Sequence, residues 1–551
     1  MNILKIRLAI ALFISLLIIS LLTSLVYTSL ADFYQYKKII NPTLKLTKDR
    51  FHFFVQNTIQ KEWIRLTAPK VQRDEQSPLK TFRITVSQKN LNSLNANLPT
   101  SGKDHFVKAY LSISDKRDKI YKIKLRYRGD SNSHWFYNQK SLRIKLAKDD
   151  IYDMCKTFNL INPPSQLSYR DSINYQFSKE LGLITPKSIP CRVFINGRYM
   201  GVYLYLSQVD ESLLRSHRLM PGSIYYGDGS PIENGIASLW FNPIYWKKKA
   251  SRNSEQKNNR EDIELFIKGV NSNQKEFEKF AETYLNLPKY FAFIALDRVF
   301  GTQHHDFIHN HKIYFDPYKG KFEPISWDLR FWLPLKAKDL SFYPIQLKLA
   351  ANPIYDAQID KIVYGIINNN FINKIDKAYI KIINQIKYDI QSDIYRDNAV
   401  ALKQFAPYPI SRALKYSEIL HDKDYALEVL KSRVKFLNTL YNDTTIEYHI
   451  KTMTELGASK KLLTLMIKGN SPAKMKSKLF NMDYSLYTKR EIVPNSQIFF
   501  HTSVCGDQTV QNRLNSYQFL LDTNLSSSDI ILNIKFINMI TGKTIKPKQI
   551  L

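Results

Sequence analysis

The chain has 551 residues, 44% hydrophobic and 13% aromatic, which places it among globular proteins with enough apolar material for packed cores. With 80 Lys and Arg against 49 Asp and Glu the formal net charge is +31, a balance that attracts polyanions such as lipid head groups or acidic envelope polysaccharides. Three cysteines, Cys155, Cys191 and Cys505, are too few and too scattered for a disulfide scaffold or paired zinc-ligand spacing, and the lysines are spread along the chain without a nucleic-acid motif, so no nucleic acid is expected as a partner.

Residues 8–31 carry no charged side chain, and about twenty apolar residues cross a bilayer as a helix. Lys5 and Arg7 precede them, which by the positive-inside tendency puts the short amino-terminal tail in the cytoplasm and the bulk of the chain on the other side. A cleaved signal peptide is the alternative, because Ser29, Leu30 and Ala31 offer the small residues of a cleavage site. The apolar run is longer than a usual signal-peptide core, which favours a single-pass anchor, and either reading exports the chain beyond Ala31. Residues 32–75 read as an amphipathic, lysine-rich linker reaching away from the bilayer.

From Thr81 to about Gly229 the pattern is strand-rich. Residues 121–125 and 141–146 alternate with period two around the stretch RGDSNSHWFYNQK, the pattern of two half-buried strands and a long loop. The Arg128-Gly129-Asp130 triplet invites a cell-adhesion reading, but three residues are weak support. A loop holding Gly129, Ser131 and Ser133 and followed by Lys140 can cover phosphates, and an ordinary hairpin remains the plainer reading. Residues 168–181 read as a helix ended by Gly182. A second hairpin comes next, in which Asn196-Gly197 supplies the positive φ angles of a two-residue turn. Residues 247–260 are polar and read as a loop; 261–300 and 357–393 carry helical spacing. From about residue 441 a small β-rich carboxy-terminal domain is expected, with strands at 497–500 and 530–536.

The region between the helical segments is chemically dense: GTQHHDFIHNHKIYFDPYKGKFEPISWDLRFW, residues 301–332. A hairpin through Lys319-Gly320 would bring its flanks together, so Asp306, Asn310 and Asp328 could face one cavity. Oxygen ligands of this kind suit magnesium. In phosphoryl transfer one aspartate positions the acceptor hydroxyl, an asparagine and a second aspartate hold metal, and a lysine neutralises phosphate charge; Asp306, Asn310, Asp328 and Lys140 match those roles. Turn and capping roles for the two aspartates are the structural alternative. His304, His305, His309 and His311 raise a zinc site, since imidazole is a common zinc ligand.

Several of these segments, in order, resemble the spore-coat-protein-H (CotH) kinase family: RGDSNSHWFYNQKSLRIKL, VFINGRYMGVYLYLSQVD, HHDFIHNHKIYFD and PISWDLRFW, with AANPIYDAQIDKIVY as a helical continuation. The resemblance implies an α+β, atypical protein-kinase-like fold of two lobes over about residues 76–440, with ATP and Mg2+ or Mn2+ as cofactors and a protein serine or threonine as acceptor. It implies that Lys140, with Arg128, Gly129, Ser131 and Ser133 in the loop above, contacts the nucleotide phosphates, that Asp306 is the catalytic aspartate, and that Asp328 and Asn310 ligate metal. This chain departs from the family at three places. Ser207 stands where a glutamate is common, leaving Asp210 or Glu211 to orient Lys140. Arg330 stands where a second acidic residue is frequent, and Asn310 follows Asp306 by four residues rather than the five usual in protein kinases. The first two changes remove negative charge from a site that must hold a cation, and a non-catalytic module for assembling envelope structures is the alternative they suggest.

Overall fold

The computed structural model describes residues 2–40, 43, 45–98, 104–129, 134–135, 139–147, 149–163, 168–227, 238–249, 258–308, 310–330, 332–395, 416–455, 458–477, 482–487, 515–521 and 523–550. Two compact units emerge, the first made of Met1–Ser172, Pro186–Leu213 and Ala378–Lys423, the second of Ile173–Thr185, Leu214–Lys377 and Asp424–Leu551.

The first unit begins with α1 (Asn2–Ile40), which over Lys5–Tyr34 is long and apolar enough to cross a membrane. The next helix corrects the expected linker. Rather than reaching outward, α2 (Lys48–Thr67) folds back along α1: Ser29 Oγ donates to Thr58 Oγ1 at 3.0 Å, and the Phe33 and Phe54 rings meet edge to face at 5.6 Å. The lysine-rich composition hid a buried pair four residues apart, Phe54 and Thr58, in which the small hydroxyl lets the helix backbones approach. Beyond α2 the chain is clamped. Buried Arg192 donates to the Gln72 carbonyl at 2.9 Å, and Asp74 takes two bonds from Arg83, at 2.7 and 2.9 Å.

Seven strands then close a barrel in the order β1-β2-β3-β4-β5-β7-β6: β1 (Lys80–Thr85), β2 (Val107–Ile113), β3 (Lys116–Tyr127), β4 (Leu142–Leu146), β5 (Thr157–Ile161), β6 (Ser188–Ile195) and β7 (Arg198–Ser207). The parallel pairing of β6 with β1 closes the ring; the other pairs are antiparallel. α3 (Gln88–Ala96) follows β1, and α4 (Ser168–Glu180) follows β5. Alternation decides which side chains fill the barrel. Along β2, Val107, Ala109, Leu111 and Ile113 are buried while Lys108 and Tyr110 are exposed, and the inward residues meet Ile144, Phe158 and Val193 in one core. The Asn196-Gly197 turn joins β6 to β7 with both residues at positive φ, as expected.

α5 (Glu211–Ser216) carries the chain from the first unit to the second, where β8 (Ser223–Gly227) and β9 (Lys247–Lys249) form, with β10 (His311–Asp316) and β11 (Lys321–Pro324), a sheet ordered β11-β10-β8-β9. The strand β9 corrects the reading of residues 247–260 as loop: three lysines give no apolar signal, yet Lys248 is opposite Tyr225 and its ammonium lies 5.5 Å from that ring. The helices of this unit are α6 (Glu261–Asn271), α7 (Gln274–Tyr284) and α8 (Leu287–Phe300), then, beyond the sheet, α9 (Pro344–Ala351) and α10 (Pro353–Ile367); α11 (Phe371–Gln391) and α12 (Tyr416–Asn442) each belong in part to the first unit, which takes Ala378–Lys423. α8 is buried all round, and its Arg298 is neutralised by Asp339, Asp356 and Asp360 at 2.6, 2.8 and 2.8 Å. The family's two-lobed arrangement remains an expectation for this chain.

The last strands, β12 (Thr445–Glu455) to β19 (Lys548–Gln549), build two four-stranded sheets around their own core of Ile446, Leu463, Leu465, Met475 and Phe536. Residues 530–536 correct the expected single strand. Ser526 caps a short helix, α13 (Ser527–Leu532), by accepting from Asp529 N at 3.1 Å, and only then does the strand Ile534–Asn538 begin. The strand expected at 497–500 lies outside the described residues.

Candidate active site

Lys140 and its loop belong to the first unit. The loop leaves β3 at Arg128, whose N–H donates to the Ser141 carbonyl at 2.8 Å, and Ser141 N–H in turn donates to the His134 carbonyl at 2.6 Å. Gly129 has φ +109, and a Cβ there would lie 2.2 Å from the His134 ring, so the turn requires glycine. The Trp135 indole donates to the Gly129 carbonyl at 3.2 Å. Lys140 sits two residues before β4, buried, with its ammonium donating to the Trp135 carbonyl at 2.9 Å and lying 5.8 Å from the Tyr127 ring. Burial lowers its pKa to about 8. Ser131 and Ser133 lie outside the described residues. Ser207, which stands in place of the expected glutamate, accepts at Oγ from Lys187 N at 2.9 Å, and Asp210, one of the two candidates with Glu211 for orienting Lys140, accepts from Ser212 N at 2.9 Å.

Asp306, Asn310 and Asp328 belong to the second unit, where the expected hairpin forms from β10 and β11. Its two flanks meet through histidines. His304 Nδ1 lies 3.0 Å from the Asp328 carbonyl and 3.2 Å from its carboxylate Oδ2, and the His304 carbonyl accepts from Asn310 Nδ2 at 3.0 Å. His304 is thus the hub joining the two residues expected to hold metal. Both carry left-handed backbone, Asn310 at φ +68 and Asp328 at φ +57. Asn and Asp enter this region more readily than other side chains, and residues held there also collect at functional sites. Gly301, with φ +62, ends α8 and starts this segment; a Cβ there would meet the Leu333 carbonyl at 2.8 Å.

The Asp328 carboxylate is held well below the usual range. Burial alone would raise its pKa, but the Arg330 guanidinium, whose Nε lies 3.2 Å from Oδ1, and the His304 ring outweigh it. Its backbone N–H donates to the Tyr175 hydroxyl at 3.3 Å, and Ser326 N–H donates to the Ile184 carbonyl at 2.8 Å, fixing the strand end that carries it. Asp306 has the turn role that was its structural alternative: Oδ1 accepts from Ile308 N at 2.7 Å, while its carbonyl accepts from His311 Nε2 at 2.8 Å.

The histidines have separate partners. His305 spans Asp297 Oδ1 at 2.9 Å and the Trp327 carbonyl at 2.7 Å, His311 is bonded to Asp306, and His304 to Asp328; His309 lies outside the described residues. Among the described residues no cluster of three or more His, Cys, Asp or Glu could hold a metal ion. The Asp297–His305 pair went unread in the sequence. Its signal was there, because Asp297-Arg298 interrupts the otherwise apolar end of LPKYFAFIALDRVF. Lys312 was also passed over. It is buried, 4.3 Å from the Tyr226 ring and 4.5 Å from that of Trp327.

The CotH kinase protein family matches residues 125–437, more than half of the chain. The chain belongs to the CotH kinase family. Inner spore coat protein H of Bacillus subtilis (strain 168) is 26% identical over 261 residues, which are 46% of this chain and 68% of that protein. Among solved structures, the Helicobacter pylori proinflammatory kinase CtkA aligns at 10% identity with a TM-score of 0.21, covering 54% of this CotH kinase-family chain and 95% of that one. At that score the architecture rests on this chain's own strands and helices.

Proposed function

We propose that this chain is a membrane-anchored, exported CotH-type protein kinase that transfers the terminal phosphoryl group of ATP to a protein serine or threonine. The observation that carries the reading lies within the family-matched span: Asn310 and Asp328 both hold left-handed backbone and both meet His304. Two residues of the chemistry expected for a cation site, both turned into the left-handed region and tied to one side chain, support the reading.

Lys140 supplies positive charge to phosphates, and a phosphate oxygen would take the place that the Trp135 carbonyl now has on its ammonium. Arg128 and Gly129 belong to the loop expected to cover the phosphates, for which Ser131 and Ser133 are the further candidates by sequence, and Asp306 receives the proton of the acceptor hydroxyl. The donor set fits a divalent cation in kind: Asp328 is ionised throughout the neutral range, and Asn310 adds an amide oxygen. Mg2+ or Mn2+ bound there would neutralise phosphate charge. Arg330 competes for the same carboxylate. That ion pair also favours a second reading, a catalytically weak or inactive kinase-like module that assembles envelope structures through its basic surface.

Calorimetric titration of the purified chain with ATP and Mg2+ or Mn2+, followed by a phosphotransfer assay, separates the two. Asp328→Ala should abolish metal-dependent nucleotide binding, whereas Asp306→Ala should spare binding and lose transfer. Absence of binding at millimolar nucleotide refutes the kinase reading. Binding without transfer supports the assembly module, for which salt-sensitive binding to an acidic polysaccharide, unchanged by Asp306→Ala, is the direct test.

A further inference from the structure

The exposed apolar side chains of α2 form a stripe. Ile59, Trp63 and Leu66 are 52%, 66% and 80% exposed, and their spacing of four and three residues places them on one helix face. Phe54, Thr58 and Ile64, by contrast, are buried. The packing of α2 on α1 sets the height of the stripe. Ser29 meets Thr58 and Phe33 meets Phe54, so four residues up one helix correspond to four down the other. Continued at about 1.5 Å per residue, this antiparallel register puts Trp63 level with Ser24 and Leu66 level with Leu21.

Those α1 residues lie inside the apolar span Lys5–Tyr34. About twenty residues cross the hydrocarbon, so a span starting at Leu8, just beyond the charged Lys5 and Arg7, ends near Tyr27, one helical turn from the height of Trp63. Tyr27, 75% exposed, stands within one helical turn of that level. Exposed Trp and Tyr where an apolar run meets water are the composition of a membrane interface. Glu62 and Arg65, paired at 3.3 Å and exposed, exclude this part of α2 from the hydrocarbon interior. Because α2 runs antiparallel to α1, its carboxy-terminal end enters the head-group boundary end-on, with Ile59, Trp63 and Leu66 spread over roughly 10 Å of depth.

We propose that α2 is an interfacial foot whose Ile59, Trp63 and Leu66 insert into the phospholipid leaflet on the side of the folded domains, so that a helical hairpin rather than a single tether holds the chain to the bilayer. The proposal rests on α1 as the membrane span. Because the residues just after α2 are clamped by Arg192 and Asp74, the foot would also fix the first unit near the lipid surface.

The chain has six tryptophans, so the full-length protein and W63F are each reconstituted into phosphatidylcholine vesicles with and without brominated acyl chains, and the difference between their emission spectra isolates Trp63. Brominated lipid should remove most of the Trp63-dependent emission, and aqueous acrylamide should remove little. I59S/L66S should still float with the vesicles through α1 but transfer the Trp63 signal from lipid quenching to acrylamide quenching. Flotation with Trp63 open to acrylamide and untouched by brominated lipid overturns the foot and leaves the α1 span standing. Failure to float overturns both.

Discussion

Lys140→Met is expected to make the protein more stable while making it a poorer nucleotide binder. The side chain is 8% exposed, its ammonium rests on the Trp135 carbonyl at 2.9 Å, and burial lowers its pKa from 10.5 to about 8. At pH 7 a depression of that size opposes folding by about 3 kcal/mol. Losing the charge-assisted bond to Trp135 removes roughly 1.5 kcal/mol or a little more, and methionine keeps much of the packing of the lysine stem. The net gain is about 1–2 kcal/mol, a few degrees in the unfolding midpoint for a domain of this size. The pH dependence is a second signature. An unfolded lysine holds its proton to about pH 10.4, whereas folded Lys140 releases it near 8. The wild-type protein therefore gains stability as pH rises between those values, and the variant lacks that gain. Thermal unfolding of both proteins at neutral pH and at about pH 9.5 reads both effects, and calorimetry with ATP reads the functional loss. Lys140→Arg should not restore affinity fully, since a planar guanidinium does not reproduce a compact ammonium. A Lys140→Met protein that melts lower at neutral pH, or keeps the alkaline slope, refutes the assignment of a charge held at the expense of stability.

Arg330→Ala removes the guanidinium 3.2 Å from Asp328, so Mn2+ affinity measured by calorimetry should rise roughly tenfold or more; unchanged affinity would show that Asp328 is not a ligand. His305→Ala should cost about 3–5 kcal/mol in chemical denaturation, because it leaves the buried Asp297 carboxylate without its charged partner and with only the long Tyr343 hydroxyl bond at 3.5 Å. For His305 burial disfavours the charged ring, but the Asp297 carboxylate and the Trp327 carbonyl raise its pKa on balance. Its contribution is therefore complete below about pH 6.5 and lost as pH climbs through the raised value, a slope that His305→Ala should flatten. Gly301→Ala should cost about 1–3 kcal/mol in the same assay, since it meets both the φ of +62 and the Leu333 carbonyl at 2.8 Å.

Neighbours along the chain encode the part that was legible in the sequence. Alternation in residues 121–125 marked β3 because a strand points successive side chains to opposite faces, and Asn196-Gly197 marked its turn because few other dipeptides accept two positive φ angles. The charge-free run from residue 8 to residue 31 marked α1 by solvation alone. The candidate residues Asp306, Asn310 and Asp328 follow from the order and type of their segments. Their geometry was not. That His304 joins Asn310 to Asp328 depends on closing the β10–β11 hairpin, and that Arg330 neutralises Asp328 depends on the path of the chain after it. Likewise α2 looked like solvated linker because its buried face is short, and only its packing against Ser29 and Phe33 reveals which side chains face outward. Lys140 carries the same lesson. Its identity is local, but its lowered pKa comes from burial by residues distant in sequence, and desolvation has no signature in a string of neighbours.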